Sequence, residues 1–471
     1  MKKLLKIFYI LYGIKLSTKK EIFKSVEELR IEPSKILNRK EICFIGFDIL
    51  IPTCESSLTK SNHIQDQLSQ ILKKIYENFN EEEILNKENV KIIDDIIDSR
   101  DINGLLKNDQ DLLELKEFSN LNELPKNSKF SSLYKNLYFY LGIFISKSIN
   151  KENNENSVPI FLTKENYFEA VRMLEISCSI DYMNELNWKN LGFLYKEIFE
   201  RMIDIIDFPL QTKELMLKKG RESLRLSEEQ NFDKDLLTMG CRSLKCLEIS
   251  NLLKKEKEVI NSIGNISFQF LKLKDINEQE IDSFKNITEI SFLNSNKLET
   301  NQFENFLFLG KLNEKYLNFE EALNFYFKAC GYCNIKVNNE PFYFLYRLLF
   351  NLNEISSKID LTKYFIEFPI NAFEVKRKTK SYHDFIPTEE EIKNLNFEGN
   401  LKKIFEGFFL CLLEDEFDYK SLLYLGKLFE KVGNISLSKH ILGGIFKLKT
   451  SKTTKKPDHF EFKIWVKENS L

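Results

Sequence analysis

Four times along this chain a bulky residue is followed, three positions later, by the pair Leu-Gly. The quartets are Tyr138 with Leu141 and Gly142, Trp188 with Leu191 and Gly192, Phe306 with Leu309 and Gly310, and Leu422 with Leu425 and Gly426. Each lies inside a helical pattern, where glycine is less favourable than alanine by about 1 kcal/mol. A penalty repeated at one place in one pattern implies a shared geometric need. Two helices cannot cross closely at a residue that carries a Cβ, and glycine removes the obstacle. The pattern predicts an all-α fold, a superhelical solenoid of tetratricopeptide-like helix pairs, some of them degenerate. In each pair a glycine-bearing helix A packs on a helix B.

The clearest unit spans 303–330, where Gly310, Ala322, Tyr326 and Ala329 are spaced by 12, 4 and 3 residues. In this repeat type the glycine and the first alanine are the small residues where helices A and B touch. The aromatic fills the space beside them, and the last alanine admits the next repeat. The final unit, 419–446, keeps Leu425, Gly426 and Phe429, with Ser438 and Leu442 on its B helix. Earlier, 133–149 and 166–180 read as one pair and 188–202 and 210–226 as the next, with Pro209 pre-set to open a helix.

The chain then divides as follows. Residues 1–130 form an N-terminal helical segment, a candidate cap, in which Ile64, Leu68, Ile71, Leu72 and Ile75 make an amphipathic stripe. The run 41–51 fits a strand or a buried helix. Residues 131–260 form a first repeat block with a polar insertion near 150–157, read as a loop or disordered insertion, and 261–300 a degenerate repeat or linker. Residues 301–355 form a second block, 356–400 a linker or degenerate helices, 401–446 a third block and 447–471 a basic tail ending in a strand-like alternation.

Charge narrows the function. With 69 basic and 71 acidic residues there is no general field to hold nucleic acid, and no sequence-specific nucleic-acid binding is expected. Eight scattered cysteines fit buried free thiols in a reducing compartment. The first 20 residues have the outline of a signal peptide, but Lys6 and Lys15 break the apolar run, so an amphipathic helix is expected. No run of 18 apolar residues occurs, and no membrane span is expected.

The chemistry-bearing residues are isolated. Cys330 and Cys333 make a CxxC, but no second ligand pair accompanies them, so packing is the reading. His63, His383, His440 and His459 have no partner at ligand spacing. No phosphate-binding loop or nucleophile elbow is present. The chain therefore reads as non-catalytic, with no metal and no cofactor. On the A helices, Phe139, Lys189, Phe193, Lys311 and Lys427 fall at positions that face a groove. Phe193 stands where a clamp for acidic chaperone C-termini wants asparagine. The basic runs 375–380 and 449–456 fit either import signals or solvated loops.

Four stretches, in order, resemble the cabin family, whose fungal member is the third subunit of the histone-regulation (HIR) complex. They are 135–137 with 169–198, then 208–231, then 306–329 with Tyr346-Arg347 downstream, then 418–446. Members of that family are several times longer, and residues 1–130 resemble none of it. The resemblance implies a nuclear scaffold of a histone chaperone, active in replication-independent nucleosome assembly and transcription regulation, with β-propeller proteins and histones as partners. The residues themselves equally allow a cytoplasmic repeat adaptor for another assembly, in chaperone work, trafficking or RNA decay.

Overall fold

The computed structural model describes residues 131–153, 165–206, 232–273, 276–298, 303–335, 338–354, 359–366, 399–414 and 419–450, with short pieces between 51 and 97. All regular structure among the described residues is helical. The helices are α1 (Ser131–Asn153), α2 (Glu165–Ile180), α3 (Glu185–Asp204), α4 (Phe232–Leu253), α5 (Lys257–Phe270), α6 (Glu278–Leu298), α7 (Phe303–Lys315), α8 (Phe319–Tyr332), α9 (Glu340–Glu354), α10 (Asn400–Glu414), α11 (Tyr419–Lys431) and α12 (Ile435–Thr450). A 3-10 turn, Leu361–Tyr364, lies between α9 and α10. The fold class is the expected one, an all-α array of tetratricopeptide-like helix pairs. The chain divides into two compact units, Met1–Ser291 and Phe292–Leu471.

In the first unit α1 pairs with α2 and α3 with α4. A Cβ on Gly142 would lie 2.8 Å from Leu174 Cγ, and one on Gly192 2.7 Å from Leu247 Cγ. Both glycines therefore mark the closest approach of their pairs. Ser243 Oγ donates to the Gly192 carbonyl at 2.8 Å, which binds α4 to the same spot. The turn into α3 is capped by Asn184, whose side chain accepts from the amides of Leu186 and Asn187. Trp188, fully buried, donates its indole N–H to the Tyr182 carbonyl at 2.8 Å. Gly240 of α4 lies under the rings of Phe270 and Phe199, and Phe270 stacks on Phe284 of α6 at 4.3 Å.

Two differences from expectation fall here. Helix α1 continues through the polar tract to Asn153, so the expected loop opens no earlier than residue 154. The helix expected over 210–226 lies outside the described residues, and the groove beside Gly192 is filled by α4 instead. The stretch 261–300, read as a degenerate repeat or linker, holds most of α5 and the whole of α6, which leaves both readings open.

Among the described residues the second unit contains three pairs, α7–α8, α9–α10 and α11–α12. Gly310 of α7 lies under the Tyr326 ring of α8, and Gly426 of α11 faces Leu442 of α12, whose Cγ is 2.6 Å from an ideal Cβ. In the middle pair the arrangement is exchanged. Tyr346 of α9 carries the ring, and Gly407 of α10 supplies the space. The pair thus joins residues assigned by sequence to the second and third blocks, across the stretch 356–400.

The turns within the first and last of these pairs match. After α7, the Asn318 amide donates to the Asn313 carbonyl at 2.9 Å, and after α11 the Asn434 amide donates to the Phe429 carbonyl at 2.9 Å. This is the six-to-one bond of a Schellman ending, which needs one residue in the left-handed region. Gly433 fills that place at φ 81°, and Leu317 fills it at φ 62°.

The helix expected over 64–79 is described only at a few positions, of which Leu68 and Leu72 are buried. The runs 41–50, 375–380 and 451–471 lie outside the described residues, as do His63, His383 and His459. None of the described helices is long and apolar enough to cross a membrane.

Candidate interaction face of the A helices

Aligning the three A helices of the second unit on their leucines exposes a pattern wider than Leu-Gly. Phe308-Leu309-Gly310-Lys311-Leu312, Phe344-Leu345-Tyr346-Arg347-Leu348 and Tyr424-Leu425-Gly426-Lys427-Leu428 share one frame: aromatic, Leu, any residue, basic, Leu. The two leucines of each frame are buried, and the residue directly after the first of them meets helix B. The aromatic and the basic residue stand three apart, so both fall on one side of the helix.

On that side they form a ladder. The Lys311 ammonium lies 5.6 Å from the centre of the Phe308 ring on its own helix and 4.2 Å from that of Phe344 on α9. The Arg347 guanidinium lies 4.6 Å from the same Phe344 ring. Lys427 lies 4.6 Å from the Tyr424 ring, which in turn sits 6.0 Å from Tyr343 and 5.7 Å from Phe350 of α9. Cations over ring faces at these distances are attracted by the ring quadrupole.

Two carboxylates answer the ladder from within. Lys311 pairs with Glu340 at 2.8 Å. Arg347 pairs with Glu314 of α7, whose other oxygen accepts from the Tyr326 hydroxyl at 2.6 Å. Burial pushes the Lys311 ammonium below the usual lysine value, and Glu340 only partly opposes this. Among the described residues no carboxylate answers Lys427 within ion-pair distance. Its side chain is half-buried, stretched over Tyr424.

In the first unit the corresponding face is settled differently. Lys189 is held by Glu256 at 2.7 Å and Glu258 at 2.8 Å, and lies 5.6 Å over Phe193. Burial works against its charge, but the two glutamates outweigh this and hold its pKa above the lysine value. Phe193 lines an open cleft of about 680 Å³ with Lys196, Glu197, Glu200, Arg201 and Asp204, a wall of mixed sign. Burial raises the Glu200 carboxyl there, against the pull of Lys196. Phe139 is 8 % exposed, its ring packed edge-on to Tyr140, so it is a core residue and presents no groove surface.

Of the five positions read as groove-facing, the structure therefore brings Lys311 and Lys427 onto one face. Lys189 and Phe193 sit together in the other unit, and Phe139 is enclosed. Arg347, named above only in the resembling stretch, is absent from the groove-facing set because Tyr346 stands where the other frames have glycine. The recurring aromatic–Leu–x–basic–Leu spacing is the signal that finds it.

The CxxC ends α8. Cys330 is 5 % exposed and burial drives its thiol well above the ordinary value, while burial first and Glu304 second push Cys333 up to about 11. Both sulfurs are thiols at neutral pH, which is the chemistry of packing residues. Among the described residues no three His, Cys, Asp or Glu side chains gather as a metal site requires.

No protein-family profile matches the chain, and no curated protein does. Among solved structures, a human IFIT1 dimer with PPP-AAAA aligns over 90 % of this chain and 97 % of its own, at 11 % identity and a TM-score of 0.24. A circular tandem repeat protein with novel repeat topology aligns over 100 % of this chain and 98 % of its own, at 11 % identity and a TM-score of 0.19. Overlaps this loose carry nothing about ligands or partners.

Proposed function

We propose that this chain is a non-catalytic helical-repeat scaffold that binds partner proteins on the faces of its A helices. The observation that supports it is the basic–aromatic ladder of α7, α9 and α11, built three times on one side of three helix pairs. A cation half-buried over rings is expensive to keep for packing alone, since an apolar residue would fill the same space without desolvation. Affinity purification of the tagged full chain, with identification of bound proteins, tests this reading. Stable co-purifying proteins are expected. A chain that purifies alone at low salt and near-native expression overturns it.

The finer reading places the scaffold in the nucleus, as a subunit of a histone-chaperone complex. Its support is the order of the four stretches that resemble the cabin family, from 135–137 to 418–446. It expects β-propeller proteins and core histones among the bound proteins, and nuclear fluorescence of a tagged chain. Cytosolic fluorescence with neither partner class would leave the cytoplasmic adaptor as the reading of this scaffold.

A further inference from the structure

We infer that the outer face of α8 is a self-complementary surface on which a second copy of this chain docks, antiparallel, about a two-fold axis. This goes beyond the scaffold reading, which names no self-association.

The ends of that face carry residues that nothing within the described chain accounts for. Leu317, in the turn that opens α8, has a left-handed backbone at φ 62° and is 71 % exposed. It bears the steric cost of a Cβ in that region without burying its side chain, where the matching turn uses Gly433. At the other end, Tyr332 is 48 % exposed. Beside it, a Cβ on Gly331 would meet nothing within 4 Å, and the φ of Gly331 is not left-handed. Neither close packing nor a turn in the chain calls for glycine there. Local rules broken without a gain inside the fold mark a contact made outside it.

Between the ends, Glu321, Phe325, Lys328 and Tyr332 follow one another by 4, 3 and 4 residues, so they share one stripe of the helix. Glu321 and Lys328 are exposed, and Phe325 is half-buried. Phe306 of α7 widens the stripe on one side. Its ring stacks on Tyr332 at 5.4 Å and on Phe325 at 6.5 Å. The 3-10 turn closes the other side, where the Tyr364 hydroxyl donates to Asn324 at 3.0 Å and Phe327 packs edge-on to the Tyr364 ring.

Charge selects the occupant. Glu321 and Lys328 form no ion pair among the described residues. Lys328 lies 5.7 Å from the Phe325 ring and has no carboxylate. A two-fold axis passing between Asn324 and Phe325 reverses the order of the stripe. Glu321 then faces Lys328 of the second copy, and Lys328 faces its Glu321. The same rotation sets Leu317 against Tyr332 of the second copy at both ends. Such reciprocity is the signature of an isologous contact. The helix has 14 residues and is therefore roughly 21 Å long. One helix pair falls below the ~1,200 Å² of a standard stable interface, so the dimer is weak and reversible.

The test is sedimentation velocity on the full chain over about 1–100 µM at low salt, a range in which a weak dimer fills by mass action. The parent should pass from monomer toward dimer and shift back as salt is raised. Glu321→Lys, Lys328→Glu and Tyr332→Ser should each weaken association at least fivefold, with the melting temperature of the dilute chain unchanged. Leu317→Gly should weaken it without lowering that temperature. Mixing the Glu321→Lys chain with the Lys328→Glu chain restores both ion pairs, as does Glu321→Lys/Lys328→Glu in one chain. Each should associate within threefold of the parent. A parent that stays monomeric throughout overturns the proposal. So does a dimer indifferent to these substitutions, or a mixture no tighter than its components. If the parent is monomeric and Tyr332→Ser sheds co-purifying proteins, the face belongs to another protein: the scaffold reading stands and the dimer falls. If the dimer behaves as expected and no other protein co-purifies, the dimer stands and the scaffold reading falls.

Discussion

The ring of Tyr346 fills the space that a side chain on Gly407 would need, just as Tyr326 fills the space over Gly310 from the opposite helix of its pair. An unbranched glycine and a buried ring thus make one contact in two orientations.

Alanine is a better helix former than glycine by about 1 kcal/mol. On an open face Gly407→Ala would stabilise. Against the Tyr346 ring its methyl overlaps the aromatic carbons, and overpacking of this kind costs about 1–3 kcal/mol. Urea unfolding should show a net loss for Gly407→Ala, partly recovered by adding Tyr346→Leu. Additive effects of the two changes would show that the ring and the glycine are not coupled.

Leu317 holds the left-handed position that Gly433 holds in the matching turn, and its side chain is 71 % exposed. The left-handed backbone is unfavourable for a residue with a Cβ by roughly 1–2 kcal/mol. Leu317→Gly loses little packing and should raise stability by about 0.5–1 kcal/mol, after the greater entropy of an unfolded glycine is allowed for. A lower melting temperature would mean that the leucine packs in solution.

Glu256 accepts from Lys189 and Lys254, and these bonds hold its carboxyl below the ordinary 4.5. The folded state therefore releases the proton more readily than the unfolded chain does. Its stabilisation is complete above the ordinary value and fades as pH falls through the lowered one. Glu256→Gln should flatten the loss of stability below about pH 4.5 and should be nearly pH-independent relative to the parent above it. Melting curves at pH 3.5, 4.5 and 6 distinguish this from a uniform effect.

Iodoacetamide needs a thiolate it can reach. Cys330 is buried and protonated, and Cys333 has a thiol pushed up to about 11. At pH 7.5 the folded chain should leave Cys330 unlabelled and Cys333 slow, with both labelled quickly in urea. Rapid labelling of either in the folded state would reopen a reactive role for the pair.

The four Leu-Gly glycines were legible because a missing side chain inside a helical stripe has no other local reason. Gly142, Gly192, Gly310 and Gly426 each meet a residue of a neighbouring helix. Helix α9 escaped because Tyr346 stands in the glycine's place, and its glycine lies 61 residues later, beyond the stretch 356–400. Gly240 escaped for a similar reason, since its cover comes from Phe270 and Phe199 on two different helices. Lys311 and Lys427 could be read from their place just after Leu-Gly. What answers Lys189 could not be, because Glu256 and Glu258 approach it only once α5 has folded back beside α3.

The exchange of ring and hollow at the middle pair gives the array a parity. Joining α7 to α10 would set hollow against hollow, and joining α9 to α8 would set ring against ring. Exchanging single helices between pairs would therefore lose a fitted contact at each mismatched seam, whereas exchanging whole pairs would keep every ring on its hollow.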